Sequence, residues 1–236
     1  YQSDLRQSQS IILQDVESSA QAIRLKLRRN EFALNAIARD LGRREISQVE
    51  FKRYSENFFA SSPEILLLTW VNLQGSELAS TSSFFNPTDS FLLTPVTSSQ
   101  RLSRDESQKA FSAAIKTRKP VYSDVFQADG QTQDIQIDLH SPVMTKGSPN
   151  GMLIATYSVP IMLDVTIPSG AADRVTFELN NGRERKQNKL EYSSHEVNLL
   201  ELGDSVVLFG HSKTPLSSNF SGALNIFKKQ VVLFRK

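Results

Sequence analysis

Two side chains invite chemistry first. In IQIDLHSPV, residues 135–143, Asp138 and His140 stand two apart, interleaved with Ile135, Ile137 and Leu139. Alternation at period two marks a strand with two unlike faces, and residues two apart share a face. Together they offer Asp138 as an acceptor for an amine or hydroxyl. His140 would donate to an acid or serve as a pH-sensitive contact. If that face meets solvent, both are ordinary surface residues; if it meets a cavity, they form a binding pair. The run alone leaves both readings open.

The other candidates are single residues. Trp70, the only tryptophan, lies on an apolar strand, as core or as a pocket wall. Arg101 and Arg104 stand between a loop and a helix, where they are either solvated or brought by a lid to a ligand carboxylate. Tyr122 and Ser123 lie on a short edge segment, and Thr156 shares a strand face with Met152 and Ile154.

Catalytic templates find no match. The phosphate loop GxxxxGK[ST], the dinucleotide fingerprint GxGxxG, the nucleophile elbow GxSxG and the zinc motif HExxH are all missing from the sequence. His140, His195 and His211 are scattered without metal-ligand spacing, and His195 and His211 read as surface strand residues. With no cysteine, disulfides, thiolate metal sites and a cysteine nucleophile are excluded. The expectation is a non-enzymatic chain, with no catalytic residue, metal or cofactor assigned.

Charge narrows the partners further. The 27 basic residues are offset by 25 acidic ones, so no general basic surface argues for nucleic acid. At 39% hydrophobic the chain can build cores, and its 236 residues suit one large or two small domains. No apolar stretch is long enough to span a bilayer. A start at Tyr1 without a signal-like segment reads as a fragment of a longer protein or a processed chain.

The elements that must position these residues follow from periodicity. Residues 3–41 contain neither Gly nor Pro, and Leu5, Ile12, Val16, Ile23, Leu27, Leu34 and Leu41 recur at steps of seven and four. This predicts a long helix whose stripe packs on its own domain, forms a dimer seam, or does each along different parts. Gly42 interrupts it, and a second helix is predicted from about Ser47 to Phe59. A hairpin turns at residues 72–75, a Ser/Thr/Pro-rich loop covers 82–99, and SRDESQKAFSAAIKTRK predicts a helix with Ser103 and Glu106 at capping-box spacing. An edge segment PVYSDVF, the Asp138 strand, a turn at KGSPNG and the strand GMLIATYSV follow. RVTFELNNGRERKQNKL and HEVNLLELGDSVVLFGHS predict a weaker echo of the first sheet, with Asn-Gly as a hairpin signal. Helix, hairpin, helix and antiparallel run make an α+β chain.

In this order the segments resemble the double Cache (PDC, PAS-like) ectodomains of bacterial sensor histidine kinases, chemoreceptors and diguanylate cyclases. The resemblance covers nearly the whole chain and rests on LLLTWVNLQGSELAST, KTRKPVYSDVF and LHSPVMTKGSPNGMLIATYSVPIML. The C-terminal VVLFGHSKTPLSSNF and VVLFRK are similar to the membrane-proximal end of dicarboxylate-type sensor kinases. The resemblance implies a long N-terminal helix followed by two PAS-like antiparallel-sheet modules, the second smaller. Residues 1–60 would form signalling and dimerisation helices, 61–163 a membrane-distal sensor domain and 164–236 a membrane-proximal domain.

The implied setting is the periplasm, between flanking transmembrane helices of an inner-membrane histidine kinase that forms a homodimer through its N-terminal helix. The implied ligand is a small polar molecule, an amino acid, amine, hydroxylated compound or organic acid, held by Trp70, Arg101, Tyr122, Ser123, Asp138, His140 and Thr156. Citrate-type relatives carry basic-x-basic-Ser-Pro on the equivalent strand, whereas Asp138 and His140 precede Ser141 and Pro142 here. An aspartate at that position repels a carboxylate, which argues against a citrate-like ligand. The alternative is an ectodomain that binds a protein partner, or a dimerising spacer without a small-molecule ligand.

Overall fold

The structure is a computed structural model that describes residues 2–43, 46–83, 104–127, 135–181, 194–199, 202 and 206–213. Helix α1 runs from Gln2 to Arg43. The predicted apolar stripe is buried from Ile12 through Val16, Ile23, Leu27 and Leu34 to Leu41. A different set of large apolar residues, Ile11, Leu25 and Phe32, stays exposed at multiples of seven. The stripe that suggested a dimer seam is therefore occupied by the chain's own core.

The second helix, α2, spans Gln48–Ser61 and begins with a complete capping box: the Ser47 hydroxyl accepts from the Glu50 amide, and the Glu50 carboxylate accepts from the Ser47 amide. It buries Phe51, Phe58 and Phe59.

The chain divides into two compact units. The first takes in α1 from Leu27 onward, α2 and the elements up to Met162. Its sheet contains β1 (Ile65–Val71), β2 (Glu77–Ser82), β3 (Val121–Tyr122), β4 (Phe126–Gln127), β5 (Ile135–Thr145) and β6 (Ser148–Ser158). The order is β2-β1-β6-β5-β3, with β4 also on β5, and every described pairing is antiparallel. Between β1 and β2, the Asn72 side chain accepts from the Gln74 and Ser76 amides, while Gly75 turns the chain at φ 79°.

Helix α3 (Asp105–Thr117) precedes β3 in the chain. Its N-cap is Arg104, with no side-chain cap; Ser103, the predicted cap, lies outside the described residues. Acidic Asp105 and Glu106 occupy the first turn instead, where the helix dipole favours negative charge.

Register assigns the two faces of this sheet. Asp138, His140 and Pro142 stand opposite Thr156, Ile154 and Met152, while Ile137, Leu139 and Ser141 stand opposite Tyr157, Ala155 and Leu153. The first face packs on α3: Val71, Ala114, Met152 and Ile154 form a core with Phe111, Ile115 and Val121. The second meets α1 and α2. Ser141 donates to Asn35 at 2.6 Å, Thr145 donates to the Gly42 carbonyl at 3.1 Å, and Trp70 packs near Phe51. A Cβ at Gly42 would penetrate the Met144 backbone, so only glycine lets α1 lie this close to β5. Asn30 donates to buried Glu64 and accepts from Ser62, adding a third polar tie between α1 and this unit.

The second unit contains α1 through Lys26 and the elements from Leu163. Helix α4 (Val159–Thr166) contains the boundary, and α5 (Ser169–Arg174) leads into a three-stranded sheet of described residues. Its order is β7 (Val175–Asn181), β9 (Val206–Ser212), β8 (Ser194–Asn198). Arg174 donates twice to the Asp15 carboxylate, each bond 2.8 Å, which fixes α1 to the start of β7. His211 is not the surface residue predicted: it is mostly buried, 3.7 Å from Glu178 and stacked on Phe209.

A buried polar cluster between the sheet and helix α3

Strand β5 carries Asp138 and His140 on the face beneath α3, and both are completely buried. Thr156, directly across on β6, donates to Asp138 Oδ1 at 2.6 Å. From α3, the Ser107 hydroxyl donates to Asp138 Oδ2 at 3.2 Å and lies the same distance from His140 Nε2. Phe111, one turn further along α3, meets the imidazole edge-on at 6.2 Å. The helix thus contributes a hydroxyl and an aromatic wall to a site whose carboxyl and imidazole groups come from the sheet.

Proton accounting sets the chemistry of the cluster. The Ser107 hydroxyl has a single proton; given to Asp138, it leaves His140 to donate from Nε2. That leaves His140 Nδ1 as an unprotonated acceptor, buried and without a hydrogen-bond partner among the described residues. Burial holds the imidazole neutral, lowering its pKa to about 4 against the opposing pull of Asp138. His140 is therefore not the cation that would attract a ligand acid. Among the described residues, the imidazole Nδ1 is the atom of the cluster that lacks a donor.

A serine, a histidine and an aspartate within reach of one another also raise the question of a catalytic triad. In a triad the carboxylate holds the second imidazole nitrogen and so activates the serine through histidine. Here Asp138 bonds to Ser107 itself, and His140 Nδ1 has no orienting partner among the described residues. The arrangement stabilises a buried carboxylate and does not make a nucleophile.

The remaining sequence candidates fall elsewhere. Ser123 is adjacent but serves the main chain: its amide donates to the Asp138 carbonyl at 2.8 Å and its hydroxyl accepts from the Asp138 amide at 2.9 Å. These bonds hold the edge of β5 in place. Tyr122 pairs with Leu139 and approaches Tyr157, on the α1-facing side. Trp70 also faces that side, across from Leu153 and beside Phe51. Arg101 lies outside the described residues. Arg104 places its guanidinium 4.9 Å from the Phe126 ring centre.

Ser107 and Phe111 were missed from sequence. Both lie on the stripe Ser107, Ala110, Phe111, Ala114, Ile115, whose helical spacing marks the inward face of α3. Among the described residues no group of three or more His, Cys, Asp or Glu could hold a metal, and no helix is long and apolar enough to cross a membrane.

No family model matches the chain, and no curated protein sequence does. Solved structures do. An extracellular domain described as that of a histidine kinase, soHK1S-Z6, aligns over 91% of this chain and 96% of its own, with TM-score 0.59 and 12% identity. The ligand-binding domain of the Pseudomonas aeruginosa amino acid chemoreceptor PctC, in complex with GABA, aligns over 87% and 99% with TM-score 0.56 and 12% identity. That of the Pseudomonas fluorescens chemoreceptor CtaA, in complex with L-isoleucine, aligns over 89% and 94% with TM-score 0.53 and 10% identity. At such identities the likeness is one of fold. The fold is α+β with a long N-terminal helix, similar to that of extracellular ligand-binding domains of chemoreceptors and of a histidine kinase.

Proposed function

We propose that the chain is the extracytoplasmic sensor domain of a membrane-bound signalling protein and that it binds a small molecule carrying an ammonium group. The observation that carries this reading is the cluster under α3, with a buried carboxylate that accepts from Thr156 and Ser107 and a neutral imidazole whose Nδ1 meets no donor among the described residues. Asp138, His140 and Thr156 are the proposed contacts, with Phe111 as a wall. Trp70 and Tyr122 are left out because they face the other side of the sheet. The ligands in the neighbouring chemoreceptor structures, L-Gln, L-Arg, GABA and L-isoleucine, all carry an amino group, which supports the same class here. A citrate-like acid would meet Asp138 as a like charge.

The unit from Leu27 to Met162 would be the membrane-distal sensor, and the three-stranded sheet the smaller membrane-proximal module. Helix α1 is the proposed output element. Alternate residues of β5 face the ligand cluster and α1, so a shift of β5 would be transmitted through Asn35–Ser141 and Gly42–Thr145. A homodimer would use the exposed Ile11, Leu25 and Phe32, whose spacing repeats by heptads. Sedimentation as a monomer at every concentration would count against that dimer. A periplasmic histidine kinase sensor is the full protein favoured by the sequence resemblance, while the chemoreceptor neighbours support a chemotaxis receptor as well.

A thermal-shift screen against amino acids, amines, polyols and organic acids tests the ligand class. A compound that binds only the folded state adds about 2.7 kcal/mol of stability at a hundredfold excess over Kd. The expected hits are amines or amino acids. Hits confined to acids lacking an amino group would overturn the assignment, and a complete absence of hits would favour a protein partner or a spacer.

A further inference from the structure

We propose that Ser107 is a built-in substitute for the ligand's donor group, and that binding requires α3 to withdraw this hydroxyl from between Asp138 and His140. The inference rests on the binding reading above and adds the mechanism by which the site is kept closed. Its first support is position: one hydroxyl oxygen lies 3.2 Å from both the carboxylate and the imidazole, the bridging point that an ammonium nitrogen would take. The second is closure. Asp138, His140, Thr156 and Ser107 are at most 1% exposed, so the carboxylate is closed to solutes in this arrangement.

The third support is the construction of α3. Its fully buried residues are Ser107, Ala110 and Ala114, small side chains, and its larger Phe111 and Ile115 are only partly buried against the sheet, whereas α1 buries Ile, Val and Leu along its length. Weakly packed elements are the ones that open locally. The helix also ends on Arg118 in the left-handed region, φ 57° and ψ 29°, a conformation that disfavours any residue with a Cβ. The small buried face leaves α3 less firmly held than α1.

Stoichiometry explains why a ligand would win. Ser107 has one proton, and Asp138 takes it. A primary ammonium has three, enough for the carboxylate and, once the imidazole proton has moved to Nδ1, for Nε2 as well. The serine offers the carboxylate a neutral donor, whereas the ammonium brings a positive charge to the same point. Helix α3 would then report occupancy by its displacement.

The test uses the purified domain with methylammonium chloride as the probe and tetramethylammonium chloride, which has no N–H donor, as the control. Titrations followed by amide NMR compare wild type with Ser107→Ala, a substitution that favours helix and removes only the competing hydroxyl. Losing one net hydrogen bond of competition should tighten methylammonium binding about 3- to 10-fold. Tetramethylammonium should not compete. In wild type, methylammonium should raise hydrogen exchange in residues 105–117 and leave β5 protected, a measurement that stands even if the variant folds poorly. Equal or weaker binding by Ser107→Ala, or unchanged exchange in α3 with methylammonium bound, would overturn the substitute role while keeping the binding site. Binding by neither folded protein would overturn the site itself, and the substitute role with it.

Discussion

Lowering the pH from 7 to 4 is expected to remove about 3 kcal/mol of folding stability through His140 alone. The imidazole is completely buried, and desolvation brings its pKa down from 6.5 to about 4 even though Asp138 pulls the other way. The unfolded chain takes up this proton near pH 6.5, while the folded chain resists it until about pH 4. Between these values the unfolded state binds more protons, so stability falls as the pH falls. The contribution is fully present above pH 6.5 and lost as the pH drops through about 4. Urea unfolding at intervals from pH 7 to 4, with His140→Gln alongside, measures it. The wild type should lose markedly more stability than the variant over this window, and parallel losses would refute a buried neutral histidine.

The second large effect concerns the carboxylate. Asp138→Asn keeps the size of the side chain, removes its charge and turns one acceptor into a donor. Truncating one side of a buried charged hydrogen bond costs about 2–5 kcal/mol, so affinity for an ammonium ligand should fall at least ~30-fold. Thr156→Val should cost less, because Thr156 orients Asp138 Oδ1 and leaves the charge in place. Calorimetric titration of the best amine from the screen reads both. Equal losses in the two variants, or little loss in Asp138→Asn, would mean that the carboxylate supports the fold and not the ligand.

Local periodicity made much of this legible. The alternation in IQIDLHSPV put Asp138 and His140 on one face and the apolar residues on the other, and β5 has that pattern with α3 over one face and α1 over the other. The stripe from Ile12 to Leu41 likewise marks the buried side of α1. Relations between strands were less accessible. Which face of β1 matches the Asp138 face depends on β1–β6 register, which pairs Leu67 with Thr156 and Trp70 with Leu153. Bulges between Ile65 and Leu67 and between Trp70 and Val71 shift that register. No local pattern encodes it, and so Trp70 looked like a pocket wall. Ser107 was hidden for another reason: a serine on a helix otherwise lined with alanines reads as a neutral surface residue until the carboxylate above which it sits is known.

The central claim is that an ammonium nitrogen occupies the Asp138–His140 cluster. Its most direct test is a crystal structure of the domain grown with the amine that gives the largest thermal shift. The account predicts a ligand nitrogen within about 3 Å of the Asp138 carboxylate, in hydrogen-bond contact with the imidazole, and with Ser107 displaced. A ligand bound elsewhere, or a cluster unchanged and still closed by Ser107 in the presence of bound amine, would contradict it.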